Sequence, residues 1–265
     1  MNNQAVTTTT DPRGVATVTL NRPEKHNAFD DTIIAELREA FDTLALRDDV
    51  RVVILASNGK SFSAGADLGW MKRMADYDFG HNLKDAELLA GMLKSLHDMP
   101  QPTIARVQGA AFGGAVGLVS CCDMAVGSER ASFSLSEVKI GLMPATISPY
   151  VIKAIGERAS RRYFTTAERF DALEAHRIGL LSEVVPQDQL DETVDTLVNT
   201  LLANGPEAVR AAKDLIASVA GKEITAELIE DTCVRIAHIR VSHEGQEGLG
   251  AFLNRRSPNW INSQD

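Results

Sequence analysis

The sequence predicts an α/β protein, with a β/α body over residues 1–185 and a helical layer over residues 186–265. Three observations predict it. Up to Pro186, short β-branched runs alternate with segments of helical periodicity. After Pro186 only amphipathic helical patterns follow. Between them, Ala105–Asp123 reads as an apolar strand, a tight turn around Gly109, and an apolar helix opened by Gly113-Gly114.

Taken in order, Gly14–Leu20 alternates apolar and polar residues as a strand does, and Pro23 ends it. Asp30 or Asp31 caps a helix carrying Ile34, Leu37, Phe41 and Leu44 at helical spacing. Val50-Arg-Val-Val-Ile-Leu-Ala56 is a mostly apolar run, typical of a strand buried on both faces. Ser57–Lys60 is a turn, and Phe62–Leu68 places small residues around Gly65, suited to close backbone approach. Gly69–Asn82 has poor periodicity and reads either as a mobile cover over a pocket or as a surface helix. Asp85–His97 is a helix stopped before Pro100 and Pro102.

Beyond the central stretch, Asp123–Gly127 and Ala131–Leu135 are short strands, and Ser136–Pro144 is a helical turn running into a loop. Ile147–Ile155 and Arg158–Thr165 are helical. Asp171 caps a helix ending near Gly179, and Leu181–Val185 is a strand stopped by Pro186. The helical layer comprises Gln187–Leu202, Pro206–Val219, Thr225–Ile239 and Ser242–Phe252. Their apolar stripes need a partner surface, and a neighbouring subunit is one candidate.

Composition narrows the function. The 265 residues are 44% hydrophobic, enough for a sizeable core, and carry a net charge of −9. That balance argues against nucleic acid as a partner, since phosphate-backbone binding needs clustered Lys and Arg. Cys121, Cys122 and Cys233 have no metal-ligand spacing and read as thiols of a reducing compartment, so no metal is expected. Met1–Thr10 has neither the basic nor the apolar part of a signal peptide, and no apolar run reaches the ~20 residues of a membrane span. A cytoplasmic protein without a membrane partner is expected. At the Gly113-Gly114 helix start, unpartnered N–H groups suit an anion or oxyanion. A packing role for the glycines explains the same spacing equally well.

Six ordered blocks resolve part of that choice: Asn21-Arg-Pro with Asn27-Ala28, Phe62–Asp67, Gly109–Gly114, Cys122-Asp123, Phe133–Glu137 and Ala175–Val185. Together, over roughly residues 14–256, they resemble the crotonase (enoyl-CoA hydratase/isomerase) superfamily. The resemblance implies a spiral of β-β-α turns with a C-terminal helical oligomerisation layer, a homotrimer or homohexamer, an acyl-CoA thioester as substrate, and no separate cofactor. It implies an oxyanion hole formed by the backbone N–H groups of Ala66 and Gly114, where one such donor contributes about 3 kcal/mol. It implies CoA contacts from Lys25, Ala64, Asp67, Leu68 and a basic residue near the C-terminus, Arg255 or Arg256. Hydratases of this kind typically carry two glutamates. The later one is present as Glu137. At the earlier position stands Gly117, which transfers no proton.

The blocks Gly113–Leu118, Cys121–Asp123, Ile147–Tyr150 and Glu244–Leu249 further resemble bacterial hydratases of branched glutaconyl-CoA thioesters. This implies a lyase acting on 3-methylglutaconyl-CoA in leucine breakdown, or on isohexenylglutaconyl-CoA in acyclic terpene breakdown. Gly117 and Trp70 would line the acyl pocket, and the missing side chain at Gly117 would leave room for the branch. A distal carboxylate would call for a cation, with Lys72, Arg73 and Lys139 as candidates. Two alternatives stay open: a Δ3–Δ2 enoyl-CoA isomerase using Glu137 alone, and a non-catalytic acyl-CoA-binding protein. The histidines, His97 and His176 among them, match no catalytic motif and read as structural.

Overall fold

A computed structural model describes residues 4–261, so the outer ends of both predicted regions, 1–3 and 262–265, lie outside the described residues. The body is built on a six-stranded sheet. Its strands are β1 (Val6–Thr10), β2 (Val15–Leu20), β3 (Val52–Ser57), β4 (Thr103–Val107), β6 (Met124–Ser128) and β9 (Glu183–Val185), side by side in that order. All neighbours are parallel except the β1–β2 pair, which runs Val6 opposite Leu20 and Thr10 opposite Ala16. A second, smaller sheet holds β5 (Ala110–Phe112), β7 (Ser132–Ser134) and β8 (Phe170–Asp171).

Side chains alternate across each strand, so the large sheet serves two cores. Val53, Leu55 and Ala105 face one core with α1 (Asp31–Ala45), α3 (Phe79–His97), α4 (Gly114–Cys121) and α5 (Ser148–Thr166). Val15, Val52, Ile104 and Val126 face the other, covered by Leu190, Val194 and Val198 of α7 (Leu190–Leu202). This two-sided burial is why Val52–Ala56 is apolar at every position.

After Val185 the chain is helical: α7, α8 (Pro206–Val219), α9 (Ala226–Val241) and α10 (His243–Leu253). Cations tie this layer to the body. Arg51 donates to the carbonyls of Leu202 and Asn204 at 3.1 and 2.7 Å. Lys213 donates to Gln101 O and to the Asp123 carboxylate, which also accepts from Thr103 N–H at the start of β4. Asp123 is therefore a structural clamp. Among the described residues no helix is long and apolar enough to cross a membrane, and no group of three or more His, Cys, Asp or Glu side chains is placed to hold a metal ion.

Beyond β8, a short strand not expected from the sequence, four features differ from the sequence expectation. β1 is an additional strand, whose threonines alternate with no apolar partner and so carry no period-two signal. β5 stands where a turn is expected. The Gly69–Asn82 segment resolves into α2 (Leu68–Ala75) and the first turn of α3. Asp67 caps α2, accepting from Gly69 and Trp70 N–H, and Asp78 caps α3, accepting from His81 N–H. α5 runs through both predicted helices with a break at Gly156, where φ is 76°.

Candidate active site

Gly113 lies at φ 55°, ψ −124°, a conformation only glycine adopts readily, and its N–H donates to Ser134 O at 2.8 Å. That bond joins the head of α4 to β7, and three residues beyond β7 the chain delivers Glu137. The Glu137 carboxyl lies against the turn: its Oε1 is 3.1 Å from where a β-carbon on Gly113 would stand. Its Oε2 is buried and has no hydrogen-bond partner among the described residues. Burial pushes the Glu137 pKa above the usual carboxylate range. An acid with that environment, beside a helix start, is suited to exchange a proton with a bound molecule.

The 62–67 segment packs against the same turn. Ser63 pairs with Ala111, with Ser63 N–H donating to Ala110 O and Phe112 N–H to Ser63 O, both 3.0 Å. Gly65, at φ 88°, approaches so closely that a β-carbon would lie 2.8 Å from Phe112 O and 4.0 Å from Gly113 Cα. Ala66 pairs with Phe29. The N–H groups of Ala66 and Gly114 have no acceptor among the described residues. Two unpartnered donors on adjoining segments can receive an oxyanion.

At Gly117 the structure corrects the expectation of free space. A β-carbon there would lie 2.3 Å from Ile147 Cγ2 and 2.8 Å from Ile147 Cβ, with Leu93 Cδ2 at 3.5 Å. Ile147 fills the volume that the absent side chain leaves. Nothing in the local sequence assigns Ile147 this role, because the contact joins residues thirty positions apart. Trp70 is 4% exposed and belongs to the main core. Its indole Nε1 and Asp85 Oδ2 are both buried without a hydrogen-bond partner among the described residues, and burial pushes the Asp85 pKa up, with Trp70 offsetting only part of that.

The expected CoA contacts divide into two groups. Lys25, Ala64, Asp67 and Leu68 come together: Ala64 N–H donates to His26 O at 2.9 Å, and Lys25 Nζ lies 3.6 Å from Asp67 Oδ2. Partial burial works against charge on Asp67, but the N–H groups of Gly69 and Trp70 and the Lys25 ammonium together hold its pKa below the usual range. Leu68 is 76% exposed beside them. Arg256, expected at the phosphates, is paired with an acid of its own chain. It forks onto Glu247 at 2.6 and 2.7 Å, and the Glu247 carboxylate, which also accepts from Asn259 N–H, is pulled down to about 2, chiefly by this pairing. Arg255, at φ 53°, is exposed.

Of the cations considered for a distal carboxylate, Arg73 is paired with Asp31, so its charge is already answered. Lys72 and Lys139 are exposed. His97 stacks at a tilt on Tyr150, and His176 Nδ1 lies 3.1 Å from Leu181 O, both structural surroundings. Glu244 caps α8, accepting from Glu207 and Ala208 N–H at 2.9 and 2.8 Å.

Comparison with known proteins gives a consistent set of relatives. The family model of enoyl-CoA hydratase/isomerase matches residues 10–263. The hydroxycinnamoyl-CoA hydratase-lyase of Pseudomonas fluorescens is 34% identical over 253 residues, covering 92% of this chain and 90% of that protein. The 2,3-dehydroadipyl-CoA hydratase of Escherichia coli is 29% identical over 247 residues, covering 93% and 94%. A crystal structure of an enoyl-CoA hydratase from Shewanella pealeana is similar with a TM-score of 0.94 at 46% identity, over 98% of this chain and 97% of that one.

Proposed function

This chain belongs to the enoyl-CoA hydratase/isomerase family and has its fold, and from that premise we propose that it adds water across the double bond of a branched glutaconyl-CoA thioester. It is a hydratase-type enzyme of CoA thioesters. The finer substrate, 3-methylglutaconyl-CoA or its isohexenyl homologue, is our reading. One observation carries the chemistry: half-buried Glu137 presents a carboxyl whose Oε2 is buried and unpartnered, at the glycine turn that opens α4.

In this mechanism the Glu137 carboxylate takes a proton from water as the water oxygen bonds to the β-carbon. The π electrons move onto the thioester oxygen, and the N–H groups of Ala66 and Gly114 receive the enolate charge. The carboxylic acid then returns its proton to the α-carbon, giving a 3-hydroxyacyl thioester and restoring Glu137. The raised pKa supports both halves of this exchange. Lys25 would meet the phosphates of CoA, while the Ala64–Leu68 segment would line the nucleotide. The Escherichia coli relative is named for a dicarboxylic acyl thioester, which agrees with a substrate bearing a distal carboxylate.

A homotrimer or homohexamer would cover the exposed apolar residues of the helical layer, among them Ile216, Val241, Phe252 and Leu253. A cytoplasmic location goes with this reading.

The isomerase alternative has its own observation. Ile147 closes the space at Gly117, so a single carboxyl serves the glycine turn, and moving one proton between two carbons needs only one. A purified-protein assay against linear trans-2, linear cis-3 and branched glutaconyl thioesters separates the readings. Hydration of the branched substrate supports the proposal. Double-bond migration without hydration supports the isomerase, and binding without turnover supports a carrier.

A further inference from the structure

We infer that Phe29 is a positioning residue that fixes the spacing between the two oxyanion donors, an inference that rests on the hydratase reading above. Its backbone brackets Ala66. Phe29 N–H donates to Gly65 O and Phe29 O accepts from Asp67 N–H, both at 2.9 Å. In a parallel bridge these bonds use the groups on either side of the paired residue, so the N–H of Ala66 itself is turned away from Phe29 and left free.

The side chain of the same residue reaches the other donor. A β-carbon on Gly114 would lie 2.6 Å from Phe29 Cζ and 3.0 Å from Cε2. The ring is 1% exposed, so it has no room to swing aside. One residue thus holds the Ala66 segment by hydrogen bonds and the head of α4 by contact.

Phe29 is itself anchored on both sides. Asn27 Nδ2 donates to Asn58 O and Ser61 O at 2.8 and 3.0 Å. Asp30, capping α1, accepts from Ile33 N–H and pairs with Arg22 at 3.0 Å. The Asn27-Ala28 block therefore ends on a residue whose neighbours are locked. Glycine is required at 114 because the ring occupies the place of its side chain.

The contact predicts reciprocal suppression. Gly114→Ala should overlap the ring, displace the donor and lower kcat about 100-fold, with KM changed less than about twofold. Phe29→Leu removes the far end of the ring, so Phe29→Leu/Gly114→Ala should recover kcat roughly tenfold over Gly114→Ala alone. A double variant no better than Gly114→Ala, or with kcat loss equal to the product of the two single losses, overturns the inference. Thermal midpoints of all three variants separate misfolding from misplacement.

A second readout is independent of hydration. Acetoacetyl-CoA enolises, and an oxyanion hole favours the enolate, whose ultraviolet absorbance is measured on mixing. The wild type should raise it, Gly114→Ala should not, and the double variant should restore it. If the wild type hydrates no enoyl-CoA thioester, the hydratase reading fails, and the enolate signal alone decides whether Phe29 sets the donors.

Discussion

The Cγ2 methyl of Ile147 occupies the volume that a side chain on Gly117 would need, standing 2.3 Å from that position. Overpacking a filled site of this kind costs about 1–3 kcal/mol. Gly117→Glu, which would install the second glutamate typical of related hydratases, should therefore lower the thermal midpoint. Gly117→Glu/Ile147→Ala should regain most of the loss. A Gly117→Glu protein as stable as wild type would show that Ile147 yields freely and that the site is open after all.

The environment of Glu137 sets a pH signature. Burial favours the neutral acid, so folding raises its pKa and the folded chain keeps the proton to higher pH than the unfolded chain. The group's contribution is fully present below the ordinary glutamate range near about 4 and is lost as pH rises through the folded pKa. Glu137→Gln removes this titration. Its thermal midpoint should exceed that of wild type at neutral pH, and the gap should shrink as pH falls. A constant gap across the range contradicts a carboxyl held against its charge.

Lys25 sits half exposed beside Asp67 in a long ion pair of modest strength, which a CoA phosphate would displace on the proposed reading. Lys25→Ala should raise KM for an enoyl-CoA thioester roughly fivefold, about 1 kcal/mol. It should leave KM for the matching pantetheine thioester, which lacks those phosphates, unchanged. Equal effects on both substrates would remove Lys25 from phosphate binding.

Arg256 should behave in the opposite way. Its fork onto Glu247 ties the turn after α10, which Asn259 N–H also joins. Arg256→Met is expected to reduce stability while KM for the CoA thioester stays close to wild type. A large rise in KM at unchanged stability would return Arg256 to the binding site.

The residues that make elements were legible because each element writes its own period. The two-sided burial of β3 and the stripe of α1 follow from single stretches of chain. Contacts between stretches were not legible in that way. Nothing around Gly117 announces Ile147, and nothing around Arg256 distinguishes Glu247 from any other exposed acid. The Ala66 and Gly114 donors came from resemblance, since a backbone N–H has no residue type of its own. The α2 helix was obscured because only Trp70 of its eight residues is buried, too little to mark an apolar stripe.

On the proposed hydratase reading, Glu137 moves the proton while the glycine turn holds the charge. Turnover of 3-methylglutaconyl-CoA by wild type and by Glu137→Gln tests it most directly. A general acid–base group contributes about 10²–10⁴-fold, so the account predicts a kcat loss in that range with thioester binding retained. A Glu137→Gln enzyme hydrating at close to the wild-type rate would contradict it.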